Sequence, residues 1–350
     1  ISKNEDSKMK KTVSVIVLLA LIVGILSGIS VLASDDTTNP VFMPQEVTLD
    51  RKIDIVKNVS ENFDRERCFY DLSTEDPEWM EFQTSEAMRQ AIHLDDDVFA
   101  NLSTEEVFRA VLEYPLIHDL MAFNTPELAV ERVSEHCTAL RIFIRRPDAQ
   151  TVLRRATENV EGLTAKVEAV TIQKSLFNLY LNVLDQYFLI SNANMNSGDI
   201  GATPLTSIVY YIKTPNNSSI KCIRNSEFSQ EAIENSDRRF RQQYSQAQFV
   251  SSSSLQYNCH AYAWHIAVKQ SNGEYVDKQC WMDDPSPYMT DGSYTRVINI
   301  NYASHAFYLD DNHSAMVYDA TGNSLANALF ISKWATGPVM IHKKDYGPYT

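Results

Sequence analysis

The sequence predicts an α+β protein in which a helical first half is followed by a half that contains strands. Apolar residues recur at helical spacing up to about residue 192, and beyond a polar segment at 192–201 they alternate in short runs bounded by turn residues. Hydrophobic residues make up 44% of the 350 residues, so the chain can bury a sizeable core. Collagen-like, low-complexity and wholly disordered classes are excluded.

The start of the chain has the pattern of a secretory signal. Met9 opens a basic patch, residues 13–31 are apolar apart from small side chains, and small residues precede Ser34 at the positions that a signal peptidase reads. We expect residues 1–33 to be a signal peptide, with residues 1–8 upstream of the true start. The protein is then secreted, either extracellular or associated with the cell wall.

A single membrane anchor is the alternative for this segment, because about 19 apolar residues suffice to span a bilayer. Gly24 and Gly28 in its second half, and the acidic pair Asp35-Asp36 that follows, favour cleavage. We therefore expect no stable membrane insertion after the signal is removed.

Helix start signals define the first domain, which we place at residues 34–195. Ser103 stands three residues before Glu106, as in a capping box, and Thr125 precedes a proline at the first helical position. A third helical stretch runs over 163–190, and its apolar stripe consists of Phe177, Tyr180, Leu181, Leu184 and Phe188.

The second domain is predicted at residues 202–350. Alternating runs at 207–212 and 220–223, joined by a Pro-Asn-Asn turn, predict a hairpin, and a polar helix follows at about 226–245. Later strands begin at His305 and His313 and at 329–334.

Charge and cysteine content restrict the partners and the compartment. Asp and Glu total 45 against 31 Lys and Arg, a net charge of -14, which disfavours nucleic acid as a partner. The odd number of cysteines in an exported chain leaves at least one thiol outside an internal pair. If cysteines pair within each domain, Cys222 pairs with Cys280 and Cys68 with Cys137, and Cys259 remains a free thiol. Other pairings stay open.

A cysteine at a helix start is the main candidate for chemistry. Asn258 is a natural N-cap, and Cys259 follows in the first turn, where the helix dipole favours the nucleophilic thiolate. A disulfide or a structural thiol is the alternative. His313, after a polar turn at the first position of a strand, is the candidate base, and His305 is its competitor.

These residues resemble a known group of proteins. The segments 257–264 (YNCHAYAW), 281–288 (WMDDPSPY), 313–317 (HSAMV) and 332–334 (SKW) are similar to exported proteins of Gram-positive bacteria with a papain-like cysteine hydrolase domain, the fold of NlpC-type peptidoglycan endopeptidases and CHAP-type amidases. The resemblance covers about residues 205–350. It implies an antiparallel sheet packed on the helix that carries the cysteine.

The resemblance also implies roles for particular residues. Cys259 is then the nucleophile and His313 the base, and the strand after that of the histidine offers Ser332 as the orienting group, with Asn327 and Asp319 behind it. Tyr257, Asn258 and Trp264 are the candidate substrate-binding residues. The chain departs from the usual Asp-Cys-Ser of NlpC-type enzymes, since it has Asn-Cys-His at 258–260.

We therefore expect a secreted cysteine-dependent hydrolase of amide bonds, with peptidoglycan stem peptides or another extracellular peptide as substrate. No cofactor and no metal ion is expected, because the spacing of His260, His265, Cys259 and Cys280 matches no closed zinc pattern. The alternative is a non-catalytic secreted binding protein that uses a papain-like domain for interaction.

Overall fold

The computed structural model describes residues 69–158, 174–195, 208–320 and 324–349, all of which belong to a compact unit that spans Ser60–Thr350. The predicted signal peptide, Cys68 and the predicted domain boundary at 196–201 lie outside the described residues. Within them the protein mixes helices with antiparallel sheets, which confirms the α+β class.

The first part of the chain is helical, as its periodicity predicts. Its helices are α1 (Ser85–Ala91), α2 (Thr104–Glu113), α3 (Pro126–His136), α4 (Thr138–Phe143), α5 (Ala149–Glu158) and α6 (Lys174–Met195), with 3-10 turns at Pro77–Glu81, Asp96–Phe99 and Ile117–Met121. None of the helices among the described residues is both long and apolar enough to cross a membrane.

Two predicted helix starts are confirmed at atomic detail. The Ser103 side chain accepts from the backbone N–H of Glu106, whose carboxylate in turn accepts from the Ser103 N–H, so α2 begins with a complete capping box. Thr125 caps α3 by accepting from the N–H of Leu128. The predicted stripe of α6 is buried along its whole length.

The strands form two antiparallel sheets. They are β1 (Ile208–Lys213), β2 (Ser219–Arg224), β3 (Gln248–Ser251), β4 (Trp281–Met282), β5 (His305–Tyr308), β6 (His313–Asp319), β7 (Leu329–Lys333) and β8 (Val339–Lys343). One sheet has the order β1-β2-β4 and the other the order β3-β8-β7-β6-β5. A disulfide between Cys222 and Cys280 ties β2 to the residue before β4, as pairing within the second domain predicts.

Short helices connect these strands, and one of them begins at the candidate nucleophile. They are α7 (Gln230–Gln243), α8 (Cys259–Ala261), a π-helical turn at Tyr262–Ile266, α9 (Ala267–Ser271) and α10 (Ser286–Thr290), with a 3-10 turn at Ile300–Tyr302. The segment 259–266 packs against β6, the strand whose first residue is His313. The fold thus brings the cysteine and the histidine together.

One hydrophobic cluster includes residues from both parts of the chain. Phe240, Phe330 and Trp334 lie in the same buried cluster as the helices α2 to α6. Polar contacts join the same parts, since Asp119 accepts from the Tyr244 hydroxyl at 2.9 Å. The described parts of the two predicted domains therefore share a core.

Candidate functional site

The helix that begins at Cys259 is fixed by the side chain of Asn258. The Asn258 Oδ1 accepts from the Ala261 N–H at 3.1 Å, which is the predicted N-cap. The same oxygen accepts from the Met282 N–H at 3.2 Å, and Asn258 Nδ2 donates to the Met282 carbonyl at 2.7 Å. These bonds hold the start of the helix against β4, so Asn258 positions the nucleophile.

The thiol of Cys259 interacts electrostatically with two imidazoles, those of His260 and His313. Burial opposes ionisation of the thiol, but the charge and hydrogen bonding of the two rings hold the pKa of Cys259 well below its ordinary value. Burial lowers the pKa of His313, and the sulfur partly offsets that effect. Thiol and imidazole therefore compete for one proton, as a nucleophile and its base must.

The thiol of Cys137 gives a contrast within the same chain. It is buried in the helical part, and burial raises its pKa to about 12. At Cys137 the effect of burial dominates, whereas at Cys259 the interactions with His260 and His313 outweigh it. The environment, and not burial alone, sets Cys259 apart.

His313 is held by stacking. The preceding residue, Asn312, has a positive φ of 46°, a conformation that asparagine tolerates better than most side chains, and this turn delivers His313 to the first position of β6. The His313 ring stacks on Tyr349, with centroids 3.5 Å apart and planes 13° from parallel, and Tyr308 meets it edge-on. Neither ring nitrogen has a hydrogen-bond partner of good geometry among the described residues.

The residue expected to orient the base is engaged elsewhere. Ser332 lies within 2.9 Å of His342 Nε2 and accepts from the Trp334 indole N–H at 3.1 Å. The structure thus places Ser332 with His342 and does not bring it into hydrogen-bonding contact with His313. The physical reason is that His342 on the neighbouring strand β8 pairs with Phe330, two residues from Ser332 on β7, and its imidazole reaches the Ser332 hydroxyl diagonally across the two strands.

Asn124, from the loop between the 3-10 turn at 117–121 and α3, enters the site, and sequence reasoning missed it. Its Nδ2 lies 2.9 Å from the Asn312 carbonyl, 3.2 Å from His260 Nε2 and 3.3 Å from Cys259 Sγ. Its Oδ1 accepts from Asn258 Nδ2 at 3.2 Å. The carboxamide therefore links the nucleophile, both of its flanking residues and the turn that precedes His313.

His260 is the second missed residue. Its Nδ1 lies 2.8 Å from the Ser314 hydroxyl, and its Nε2 faces the Asn124 amide. Since the amide N–H donates to Nε2, the ring proton is assigned to Nδ1 and donated to Ser314. The Trp264 indole N–H donates to the same hydroxyl at 2.8 Å. The sequence placed His260 in a rejected zinc pattern, and nothing local to it indicates this network.

The other predicted site residues lie around this centre. The Tyr257 ring lies 5.0 Å from Lys333 Nζ, and Trp264 stacks on His305 with centroids 4.6 Å apart. Nε2 of His305 lies 2.9 Å from the Ala263 carbonyl oxygen. His305, the other candidate for the base, is therefore hydrogen-bonded to the backbone. Tyr257 and Trp264 are mostly buried and serve as packing around the helix.

Comparisons of the chain with protein-family models, with curated proteins and with solved structures found no match. The geometry of the site is therefore the basis for assigning a function. Among the described residues, no group of three or more His, Cys, Asp or Glu side chains is arranged to hold a metal ion.

Lys333 adds a buried positive charge near the thiol. Its Nζ donates to the carbonyls of Ser254 at 3.1 Å and Ala335 at 2.7 Å and to that of Gly337. Burial lowers the pKa of Lys333 to about 7, while Glu227 and the Cys259 sulfur favour its charged form. Three carbonyl acceptors require all three N–H groups of the ammonium form, so the geometry selects the charged amine.

Proposed function

We propose that this protein is a cysteine-dependent hydrolase of amide bonds that acts outside the cell on peptides, with peptidoglycan stem peptides as the first substrates to test. The observation that carries the proposal is that Cys259 begins a helical segment that packs against β6, whose first residue is His313. Interactions with His260 and His313 hold the pKa of Cys259 well below the ordinary value and so favour its thiolate. A thiolate of this kind is the reactive form of a nucleophilic cysteine.

Of the two imidazoles, His313 is the better candidate for the base. Both nitrogens of His260 already have partners, in Ser314 and Asn124. The nitrogens of His313 have none of good geometry among the described residues, so this ring is available to exchange a proton with the sulfur. His260 is then a positioning residue, held by Ser314 and Asn124.

The reaction follows from these assignments. Transfer of the thiol proton to His313 leaves a thiolate, which bonds to the carbonyl carbon while the C=O electron pair moves to oxygen. The oxyanion collapses, the C–N bond breaks, and the His313 imidazolium protonates the leaving amine. Water, deprotonated by His313, then attacks the thioester, and the released thiolate recovers the proton as the acid product leaves.

Two features of the fold support a papain-like arrangement. The cysteine stands at the start of a helical segment that packs against β6, and the histidine is the first residue of that strand in an antiparallel sheet.

The Cys222–Cys280 disulfide supports export, because such bonds persist in oxidising compartments.

One observation favours the alternative, a secreted binding protein without activity. The Cys259 side chain is only 1% exposed, and so is that of His313. An enclosed thiol fits a structural role as well as a latent nucleophile. Reactivity, and not burial, separates the two functions.

The first test is the pH dependence of iodoacetamide alkylation, measured for each cysteine by mass spectrometry on the full chain. We expect Cys259 to react with a midpoint below about pH 7 and Cys137 to stay unlabelled, because their pKa values are shifted in opposite directions. In His313→Ala the midpoint should rise towards the ordinary thiol value of about 8.5.

The pH midpoint of alkylation is informative even when labelling is slow, because restricted access lowers the alkylation rate by the same factor at every pH. Hydrolysis of peptidoglycan fragments and of peptides by the wild type, and none by Cys259→Ser, would complete the assignment. An ordinary midpoint that does not change in His313→Ala would exclude the hydrolase and leave the binding protein.

A further inference from the structure

The nucleophile and base are closed off from solvent. The side chains of Cys259 and His313 are each 1% exposed. Attack on an amide requires the carbonyl carbon to reach bonding distance of the sulfur. No peptide can reach the sulfur in this state, so a part of the chain that covers it must move.

Two groups among the described residues contribute to the cover. The ring of Tyr349, itself 2% exposed, lies flat on the His313 ring at a centroid distance of 3.5 Å. The carboxamide of Asn124 lies against the sulfur, with Nδ2 at 3.3 Å and Oδ1 at 3.6 Å from Sγ. A carboxamide therefore fills the space that the amide of a substrate would need.

Residues 345–349, here named the strap, follow strand β8 and are bonded to the helical part of the chain. The Ser85 N–H donates to the Asp345 carbonyl at 2.9 Å, and the Ser85 hydroxyl both donates to the Gly347 carbonyl and accepts from its N–H, each at 2.7 Å. Arg89 donates to the Pro348 carbonyl at 3.1 Å.

The end of the strap is tied to the loop that supplies the second group of the cover. The Tyr349 hydroxyl donates to the carbonyl of Ala122, two residues before Asn124. Displacement of the strap would thus uncover His313 and release one contact of the Asn124 loop at the same time.

We propose that the strap is an autoinhibitory element, which keeps the Cys259–His313 site closed until it is displaced from α1. This regulation rests on the proposed hydrolase function, whose site it controls. The strap lies outside the sheet and helices, and four hydrogen bonds hold it to α1, three at Ser85 and one from Arg89. Its displacement requires these bonds to break and the rings of Tyr346 and Tyr349 to leave the core cluster. Asn124, in contrast, lies between two helical elements of the core.

The test measures the alkylation rate of Cys259 relative to that of Cys137 at one pH. Cys137 is completely buried in the helical core, so it becomes labelled only when that core opens, and the ratio isolates local opening at the site. Tyr349→Ala removes the ring from His313 and should raise the ratio by about tenfold or more. Ser85→Ala removes both bonds to Gly347 without touching the site and should raise it by about fivefold.

Tyr180→Ala is the matched control for loss of a buried tyrosine. Tyr180 is as buried as Tyr349 but lies in α6, where its hydroxyl is 2.9 Å from His118 Nδ1, so its removal should leave the ratio unchanged. If Tyr349→Ala unfolds the chain, both cysteines label together and Ser85→Ala decides the question. An unchanged ratio in the strap variants, or the same rise in Tyr180→Ala, would overturn the proposal.

The outcome is distinguishable from failure of the hydrolase function. If the strap variants open the site but Cys259 has an ordinary pH midpoint and no peptide is cleaved, the closure stands and the function fails. If wild-type Cys259 reacts as fast as a thiol in an unfolded peptide and the wild type cleaves peptides as fast as Tyr349→Ala, the function stands and the closure fails.

Discussion

Lys333 places one charged amine among three backbone carbonyls, at the end of β7. Two of those carbonyls belong to Ala335 and Gly337, in a turn where Ala335 has a positive φ of 45°. The third, of Ser254, belongs to the loop that leads to Asn258 and the nucleophile. The amine therefore links two segments. One is a turn with a backbone conformation that residues other than glycine rarely adopt, and the other is the loop that positions the thiol.

Lys333→Met tests this coupling, because methionine preserves the volume of the stem and removes the donor. The three carbonyls would remain buried without their partner, and we expect the free energy of unfolding to fall by about 3 kcal/mol. Urea denaturation followed by fluorescence measures the change. Lys269→Met is the control, since the Lys269 side chain is 38% exposed and its Nζ lies 3.5 Å from Glu274 Oε2, and the variant should stay within about 0.5 kcal/mol of the wild type.

At the scale of elements, local signals in the sequence predicted local structure well. The capping box of Ser103 with Glu106, the cap at Asn258 and the stripe of α6 each depend on residues within a few positions of one another. The disulfide between Cys222 and Cys280 was one of several pairings that the sequence left open, and Cys137, which the same scheme paired with Cys68, is a free thiol.

Contacts between distant elements could not be predicted in this way. Asn124 lies 135 residues before Cys259, and only tertiary packing brings its amide to the sulfur. Ser332 was placed near His313 from the order of strands, but hydrogen bonding depends on which side chains meet, and His342 is nearer. A sequence therefore indicates the nucleophile and base more readily than the groups that position them.

The Cys222–Cys280 disulfide joins two elements of the fold, and its contribution to the free energy of unfolding can be measured. It closes a loop of 58 residues that contains the nucleophile and its cap. Cys222→Ser combined with Cys280→Ser should lower the free energy of unfolding by about 2–5 kcal/mol, because the unfolded chain regains the freedom that the bond removes. Dithiothreitol should shift the denaturation midpoint of the wild type and leave that of the double variant unchanged. Equal midpoints for wild type and double variant would contradict this role.

At the scale of the whole molecule, buried histidines make stability depend on pH. Burial lowers the pKa of His342 to about 4, that of His265 to about 4, that of His136 to about 3 and that of His118 well below its ordinary value. Below the unfolded value of about 6.5 these groups bind protons in the unfolded chain but not in the folded one, so unfolding takes up protons. Asp119, whose pKa burial raises to about 7, acts in the opposite sense over the same range.

Burial also lowers the pKa values of His305 and His313, which act in the same sense as these four, and raises that of Glu113, which acts with Asp119. Six groups of one sign outweigh two of the other, and we expect the free energy of unfolding to fall as the pH is lowered from 6.5 to 4.5. His342→Gln should reduce that slope by about 1.4 kcal/mol per pH unit, the contribution of one histidine that titrates only in the unfolded chain. Urea denaturation at several pH values measures both slopes. Thr138→Val, which changes a buried side chain that carries no titratable group, serves as the control and should leave the slope as it is in the wild type. A wild-type profile that is flat over this range would show that the buried histidines accept protons without unfolding.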